Sequence, residues 1–404
     1  MKYIIVLGDG MADEPIMELD GKTPLQVAST PTLDYFAKNG RMGMLKTVPD
    51  GFHPGSEIAN LTVLGYDVAK VFEGRGSLEA ASMGIEIYPN EMAMRCNLIC
   101  IEDGKIKNHS AGHISTEEAT ELINYLQEEL GNECISFYPG ISYRHLLKIK
   151  NADKRILCTP PHDVPGTLYK DVLIKPQVNE AIITANLIND LILKSQELLS
   201  NHPINLKRIS EGKDPANSIW PWSPGYKPSM QALSELYEIK NGIVISAVDL
   251  IRGIGVYAGL KPILVDGATG LYNTNYEGKI SAAIEALCND VDFVFLHIEA
   301  SDEAGHEGDI DLKIKTIEYL DQRILLPLKD ALNKIDDTVV VAVLPDHPTP
   351  CKLRTHSADS VPFVIYYNGI NADDVDRFDE QSAKIGSYGE LKCDEFIKKL
   401  IIKN

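Results

Sequence analysis

Six aspartates and histidines lie at or soon after the ends of apolar, β-branched segments of the chain. They are Asp9, Asp302, His306, Asp346, His347 and His356. A single aspartate after a strand is more often a helix N-cap, but caps have no reason to recur with histidine after several strands. Neutral imidazole and carboxylate together ligate Mn²⁺, Zn²⁺ and related ions, and six ligands exceed what one tetrahedral ion needs. The pattern therefore predicts a site for two divalent metal ions, with Mn²⁺, Zn²⁺ and Mg²⁺ all open.

A serine is the candidate nucleophile. In DGFHPGSEIANLTVLGYD (50–67), Gly55 precedes Ser56, and Glu57 opens a segment with helical periodicity. This places Ser56 at a helix N-terminus, where backbone N–H groups favour an alkoxide or a phosphate, although a plain N-cap serine has the same pattern. A nearby divalent ion would lower the pKa of the hydroxyl and make it a nucleophile at neutral pH.

The elements that must position these residues alternate between short apolar strands and amphipathic helices. Predicted strands are YIIVLG (3–8), GIVISA (242–247), KPILV (261–265), VDFVFLHI (291–298), TVVVAVL (338–344) and PFVIYY (362–367). This alternation predicts an α/β fold, with a mostly parallel sheet covered by helices on both faces. Ligands of open α/β sheets bind beyond the carboxyl ends of the strands, so residues far apart in sequence can meet there.

The middle of the chain differs from its ends and indicates a second, smaller unit. Residues 92–178 contain short strands, one clear helix (115–130) and the Pro-rich loop TPPHDVPGT (159–167). We predict an α+β domain at 91–179, inserted into a core formed by 1–90 and 180–404. The helix at 180–199 and the segment IWPWSPGYKP (219–228) would then lead back to the main sheet.

Composition excludes several classes of partner. The formal net charge of −19 would repel phosphate backbones and anionic lipid, so we expect neither nucleic-acid nor membrane binding. Seven cysteines without a CxxC pair indicate reduced thiols, and no apolar stretch approaches the roughly 18 residues that span a bilayer. These features predict a cytoplasmic protein. Without a GxxxxGK[ST] or GxGxxG motif, we expect no organic cofactor.

Five longer segments carry a resemblance to a known family. They are LGDGMAD (7–13), HPGSEIANLTVLGYD (53–67), EGRGSLEAASMGI (73–85), HIEASDEAGHEGD (297–309) and LPDHPTPCKLRTHSADSVPF (344–363). With them, the chain resembles the archaeal-type, cofactor-independent (2,3-bisphosphoglycerate-independent) phosphoglycerate mutases of the alkaline phosphatase superfamily. The resemblance covers nearly the whole length and implies the alkaline-phosphatase-like version of the α/β fold.

The resemblance also implies roles for the site residues. One ion would be held by Asp9, Ser56, Asp346 and His347, and the other by Asp302, His306 and His356. Ser56 would take the phosphoryl group from a phosphoglycerate and return it to the other hydroxyl of glycerate. This interconverts 3- and 2-phosphoglycerate, a step of glycolysis, through a phosphoserine. Closure of the inserted domain would exclude water, and the family implies a monomer.

The inserted domain is where the resemblance weakens. NHSAGHIS (108–115) occupies a place where archaeal-type mutases tend to have an arginine-rich run, and histidine is only partly charged near neutral pH. His109, His113 and Asp163 are candidates for acid–base or substrate contacts. Further substrate-binding candidates are Arg75, Arg144, His162 and Arg252. The change at 108–115 keeps open a homoserine kinase-like phosphotransferase, as proposed for relatives of these mutases. A third hypothesis is a non-catalytic metal-binding protein, against which the presence of Ser56 argues.

Overall fold

The computed structural model describes residues 1–401 and divides the chain into two compact units. The first contains Met1–Phe72 and the chain from Ser229 onward, and the second contains Glu73–Pro228. The second unit is therefore wider than the segment 91–179 that the sequence indicated. The helices and strands that it adds on each side explain the difference and are described below.

The elements of the described chain are as follows. The strands are β1 (Lys2–Gly8), β2 (Arg41–Lys46), β3 (Glu91–Glu102), β4 (Lys105–Asn108), β5 (Ile135–Tyr138), β6 (Arg144–Lys150), β7 (Ile156–Leu157), β8 (Lys175–Pro176), β9 (Ser218–Gly225), β10 (Gly242–Ile245), β11 (Lys261–Ile263), β12 (Phe293–Ile298), β13 (Val339–Leu344), β14 (Val361–Tyr366) and β15 (Glu390–Lys392). The α-helices are α1 (Pro24–Val27), α2 (Pro31–Asn39), α3 (Ser56–Val63), α4 (Val68–Val71), α5 (Arg75–Ser82), α6 (Thr116–Leu130), α7 (Ile182–Ser200), α8 (Pro203–Ser210), α9 (Leu233–Leu236), α10 (Asp249–Tyr257), α11 (Tyr276–Cys288), α12 (Ala300–Glu307), α13 (Ile310–Tyr319), α14 (Leu326–Leu332), α15 (Glu380–Lys384) and α16 (Glu395–Leu400). A π-helical segment, Leu320–Leu325, joins α13 to α14.

The first unit is built on an eight-stranded sheet with the order β11-β10-β12-β1-β13-β14-β2-β15. All neighbouring pairs from β11 to β13 are parallel, β14 is antiparallel to both of its neighbours, and β15 is parallel to β2. The predicted α/β fold with a mostly parallel sheet is confirmed. The carboxyl ends of β12, β1 and β13 meet at one edge of the sheet.

Both faces of the central strands are buried, which explains why their sequences are continuous apolar runs rather than alternating ones. Every residue of β1, β12 and β13 is buried. Ile4 and Val6 of β1 pack on one face in a core that α2, α11, α13 and α14 share, while Ile5 and Leu7 are fully buried on the other. This packing fixes the ends of the three strands and hence the residues that follow them.

The second unit is built on an antiparallel sheet with the order β4-β3-β6-β5. Strand β9 also pairs with β3, along the edge opposite β6. Helices α6 and α7 cover one face around Trp220, and α5 lies against β3, with Gly76 directly against the backbone of Ala93. Helix α5, helix α7 and strand β9 therefore belong to this unit. The Pro-rich segment that was predicted to lead back to the main sheet is largely β9, an edge strand in which Pro221 is tolerated.

A buried carboxyl links the π-helical segment to the start of α2. Asp321 is 1% exposed and accepts a hydrogen bond from the backbone N–H of Leu33 at 2.6 Å. Burial raises the pKa of Asp321 to about 6, because desolvation disfavours the charged form more than the hydrogen bonds favour it. The ionised carboxylate is therefore a source of instability near neutral pH.

We expect Asp321→Asn to change how stability depends on pH. The folded protein retains the proton on Asp321 up to about pH 6, whereas the unfolded chain releases it near pH 4. The stabilising contribution of the protonated form is complete below pH 4 and is lost as the pH rises through 6. Asparagine keeps an acceptor for Leu33 without the charge, so its free energy of unfolding relative to wild type should increase by about 2 kcal/mol between pH 4.5 and 7.5.

Urea unfolding at the two pH values measures this change, with Asp290→Asn at an exposed position as the control. A wild-type-to-variant difference that is the same at both pH values would show that Asp321 is not protonated in the folded protein.

Candidate metal centre and phosphoryl-transfer site

Three buried aspartates lie at the edge where the carboxyl ends of adjacent strands meet. Asp9 directly follows β1, Asp346 lies shortly after β13, and Asp302 is in the first turn of α12, which follows β12. All three are at most 6% exposed. His306 lies one turn after Asp302 on the same face of α12. The parallel topology thus brings together carboxylates from three separate segments of the sequence.

One group of ligand atoms surrounds Asp302. The Nε2 atom of His306 lies 3.3 Å from Asp302 Oδ2, and that of His356 lies 3.4 Å from Asp302 Oδ1. The two Nε2 atoms are 2.9 Å apart. Asp302 raises the pKa of His306 to about 9 through its hydrogen bond. In the protein without an ion, Asp302 and protonated His306 therefore form an ion pair. A divalent cation would replace that proton.

A second group surrounds Asp9 and Asp346. The Nε2 atom of His347 lies 3.4 Å from Asp346 Oδ2 and 3.8 Å from Asp9 Oδ1. Ser56 begins α3, and its Oγ is 3.2 Å from the same Nε2 atom. Ligand atoms of His347, Asp302 and His356 also lie within 4.8 Å of one another, so His347 is within reach of both groups. The structure thus brings together all seven residues that the sequence indicated as metal ligands.

The residues fit a pair of cations on grounds internal to the protein. Asp9 Oδ1 is buried and has no hydrogen-bond partner among residues 1–401. Burial, together with the charges of Asp346 and Asp302, raises the pKa of Asp9 well above its ordinary value. An unsatisfied buried oxygen beside like charges is costly unless a positive charge is present. Carboxylate and imidazole donors are those that Mn²⁺ and Zn²⁺ accept.

Neutral side chains that sequence reasoning missed form hydrogen bonds with these carboxylate ligands. His297 Nε2 lies 3.0 Å from Asp9 Oδ2, Asn60 donates to Asp346 Oδ2 at 3.0 Å, and Thr349 donates to Asp302 Oδ1 at 2.5 Å. His297 also belongs to a group with Asp9 and Asp346 whose ligand atoms lie within 4.8 Å of one another. Asn60 is one helical turn after Ser56, a spacing that could have indicated a shared face of α3.

The second unit contains an aromatic and cationic cluster around Trp222. The guanidinium of Arg95 lies 4.5 Å from the Trp222 ring centre, and its Nε is 3.0 Å from Glu79. The His162 ring lies 5.3 Å from that of Trp222 and 6.1 Å from that of His109. Burial lowers the pKa of both histidines, so they are neutral at pH 7. Arg95, which sequence reasoning missed, supplies the positive charge here.

The remaining predicted residues of this unit lie around the same cluster or at its margin. Arg75 acts electrostatically on Arg95 and on His162, and Arg144 acts on Arg95. Asp163 Oδ1 is 3.5 Å from His162 Nε2. His113 is exposed, in a left-handed backbone conformation with φ of 54°, and acts electrostatically on His109.

Arg252 lies in the other unit, on α10. Its guanidinium pairs with Asp249 of the same helix and donates to the carbonyl oxygen of Ser246 at 3.2 Å. The side chain is 13% exposed. These contacts stabilise the start of α10, and a substrate-binding role for Arg252 stays a prediction.

Comparison with known proteins gives matches over the full length. The chain is 53% identical over 403 residues to the 2,3-bisphosphoglycerate-independent phosphoglycerate mutase of Methanosarcina barkeri, covering 99% of both chains. It is 51% identical to the protein of the same name from Methanosarcina acetivorans, covering 99% of this chain and 100% of that one. The chain belongs to this family. A sequence model of the 2,3-bisphosphoglycerate-independent phosphoglycerate mutases matches residues 37–205.

Solved structures agree with this membership. A protein from Pyrococcus horikoshii superposes with a TM-score of 0.82 at 30% identity, covering 99% of this chain and 96% of that one. The cofactor-independent phosphoglycerate mutase of Thermoplasma acidophilum superposes with a TM-score of 0.69 at 27% identity, covering 99% of both. The resemblance seen in the sequence motifs is therefore confirmed. The homoserine kinase hypothesis and the non-catalytic hypothesis are not favoured by these relatives.

A helix that crosses a bilayer must be both long and apolar. Among residues 1–401, no helix combines these two properties. The chain therefore contains no candidate membrane-spanning helix within this range.

We expect Asp9→Asn to separate electrostatic strain from ion binding. Without an ion, the substitution removes a carboxyl group whose ionisation is disfavoured by burial and by Asp346 and Asp302, so the melting temperature should equal or exceed that of wild type. With Mn²⁺ at about 100 times its dissociation constant, wild type should gain about 2.7 kcal/mol, or roughly 3 to 5 °C, and the variant much less.

Thermal unfolding with EDTA and with Mn²⁺ measures both effects, and Asp290→Asn is the matched control at an exposed position. A variant that gains as much from Mn²⁺ as wild type does would rule out Asp9 as a ligand.

Proposed function

We propose that the protein interconverts 3-phosphoglycerate and 2-phosphoglycerate, with Ser56 carrying the phosphoryl group between the two hydroxyls of glycerate. The observation that carries the proposal is the position of Ser56 Oγ, 3.2 Å from His347 Nε2 at the junction of two groups of candidate metal ligands. Relatives about 50% identical over their full lengths have the name of this mutase, which supports the same substrate.

Two divalent ions complete the site in this proposal. Asp9, Ser56, Asp346 and His347 would hold one, and Asp302, His306 and His356 would hold the other. Three imidazoles among these ligands favour Mn²⁺ or Zn²⁺ over Mg²⁺. When bound, the ions supply Lewis-acid stabilisation of charge on the phosphoryl oxygens and lower the pKa of a hydroxyl beside them.

Ser56 performs the transfer in two symmetric steps. Its hydroxyl loses a proton, Oγ bonds to phosphorus, the bond between phosphorus and the substrate oxygen breaks, and that oxygen takes up a proton. The other hydroxyl of glycerate then attacks phospho-Ser56 in the same way and regenerates the serine. Because Ser56 is the first residue of α3, backbone N–H groups and the helix dipole favour the charge that develops there.

The rest of the substrate needs a binding site for a carboxylate. In the second unit, Arg95 is held by Glu79 and by the face of Trp222, so its orientation is fixed before any ligand arrives. Arg75 and Arg144 add positive charge near Arg95. A guanidinium remains charged and can bind a carboxylate through two hydrogen bonds, which the neutral His109 and His162 cannot replace. We assign substrate binding to these arginines and hydrogen bonding or proton transfer to His109, His113, His162 and Asp163.

Replacement of Ser56 tests the nucleophile. In Ser56→Ala, loaded with Mn²⁺, we expect interconversion of the phosphoglycerates to fall by at least about 10³-fold, because the covalent step has no alternative oxygen. Wild type quenched in acid during turnover should contain phosphoserine at position 56, detected by mass spectrometry. Ser281→Ala, on the exposed face of α11, is the control and should keep full activity.

Mutase activity that survives in Ser56→Ala would contradict the assignment. Activity of wild type toward ATP and homoserine, in the absence of mutase activity, would instead favour the alternative phosphotransferase.

Replacement of Arg95 tests the carboxylate site. Arg95→Met should raise KM for 3-phosphoglycerate by about 10-fold or more with a smaller effect on kcat, because a charge-assisted contact that forms on binding is removed. Arg155→Met is a matched control, since Arg155 lies in the same unit and pairs with Asp153 at the surface.

Direct binding can be followed by fluorescence, because both tryptophans of the chain, Trp220 and Trp222, lie in β9. Addition of 3-phosphoglycerate should change the emission of wild type and of Arg155→Met at lower concentrations than in Arg95→Met. Equal KM values for Arg95→Met and wild type would exclude a role of Arg95 in substrate binding.

A further inference from the structure

Thr349 has contacts to both groups of candidate metal ligands through a single hydroxyl. Its Oγ1 donates to Asp302 Oδ1 at 2.5 Å and lies 3.3 Å from His347 Nδ1. Asp302 belongs to one proposed ligand set and His347 to the other. Thr349 is fully buried, so these two side chains are the partners of the hydroxyl.

The direction of both hydrogen bonds follows from the number of protons. A hydroxyl has one proton to donate, and a carboxylate can only accept, so that proton goes to Asp302. The oxygen then accepts from His347, which must hold its own proton on Nδ1. In this tautomer the lone pair of His347 lies on Nε2, the atom that faces Ser56, Asp346 and Asp9. This is the tautomer that a metal ligand bound through Nε2 requires.

The surrounding backbone holds Thr349 in place. Its carbonyl oxygen accepts from the buried Lys313 ammonium at 2.7 Å, and its N–H donates to the Ala12 carbonyl at 3.3 Å. Two glycines leave space for the side chain. A Cβ on Gly10 would lie 2.6 Å from Thr349 Oγ1, and one on Gly305 would lie 2.9 Å from its Cγ2. The threonine is therefore closely surrounded at the position where its hydroxyl group contacts Asp302 and His347.

We propose that Thr349 is a positioning residue that links the two ion sites, by orienting Asp302 and by fixing the Nδ1-protonated tautomer of His347. The proposal rests on the two-ion site of the proposed function. A residue that supported only one site would affect the binding of one ion. Loss of the Thr349 hydroxyl should weaken the binding of both.

The test is a calorimetric titration of metal-free protein with Mn²⁺. We expect wild type to bind two ions and Thr349→Val to bind both about 10- to 100-fold more weakly, the range found for groups that orient metal ligands. Thr349→Ser retains the hydroxyl and should restore affinity close to that of wild type. Thr316→Val is the matched control, because Thr316 is equally buried in the same unit and donates only within its own helix.

Several results would overturn the proposal. They are unchanged affinity in Thr349→Val, weakening of one ion alone, failure of serine to rescue, or an equal effect in Thr316→Val. Absence of Mn²⁺ binding by wild type would overturn it as well. Because none of these titrations involves turnover, they are independent of whether the loaded wild type interconverts phosphoglycerates, which tests the proposed function.

A second measurement covers the case in which Thr349→Val does not fold. Nitrogen-15 NMR of histidine-labelled, metal-free wild type reports which ring nitrogen carries the proton, and the His347 signals can be assigned by their loss in His347→Gln. A proton on Nδ1 supports the proposal, and a proton on Nε2 overturns it.

Discussion

Mutual repulsion of three buried carboxylates is the constraint on which the first unit depends. Ligand oxygens of Asp9 and Asp346 lie within 4.8 Å of each other, and Asp302 acts on both electrostatically. Two like charges at that distance repel by roughly 3 to 4 kcal/mol at an effective dielectric constant of 20. A protein gains nothing in stability from this arrangement by itself. The proposed binding of two cations would explain it, and the strand order and the neutral hydrogen-bond donors around the site hold the aspartates in place.

The hydrogen-bonding groups that contact the three carboxylates, apart from the proposed metal ligands, carry no charge of their own. A lysine or arginine there would relieve the repulsion permanently and would compete with an ion. Asn60, Thr349 and the neutral His297 instead fix the orientation of each carboxylate without cancelling its charge. Lys313, a buried cation beside these loops, is directed elsewhere. Its ammonium bonds to Asp13 and to the carbonyl oxygens of Ala12 and Thr349, so it fixes the backbone while its charge is balanced outside the site.

The sequence was most informative where the backbone alone determines position. Apolar runs identify strands, parallel strands align their carboxyl ends, and residues such as Asp9 and Asp346 must then converge. Thr349 and His297 could not be found in this way, because their roles depend on side-chain directions across elements that are distant in sequence. The limits of the second unit were missed for a related reason. The Trp/Pro-rich segment has the composition of a loop. It forms a strand because it pairs with the edge of β3.

The histidines at 109 and 113 raised the possibility of a different acceptor, because they stand where related mutases tend to have arginines. The structure contains another source of positive charge in the same unit. Burial keeps His109 neutral, but Arg95, with Arg75 and Arg144 acting on it, supplies positive charge from other strands and helices of the same unit. Arg95 is oriented by Trp222, and a guanidinium stacked on an indole keeps both its charge and its paired donors. In the proposed function, these arginines bind the carboxylate of a phosphoglycerate although the local sequence at 108–115 differs.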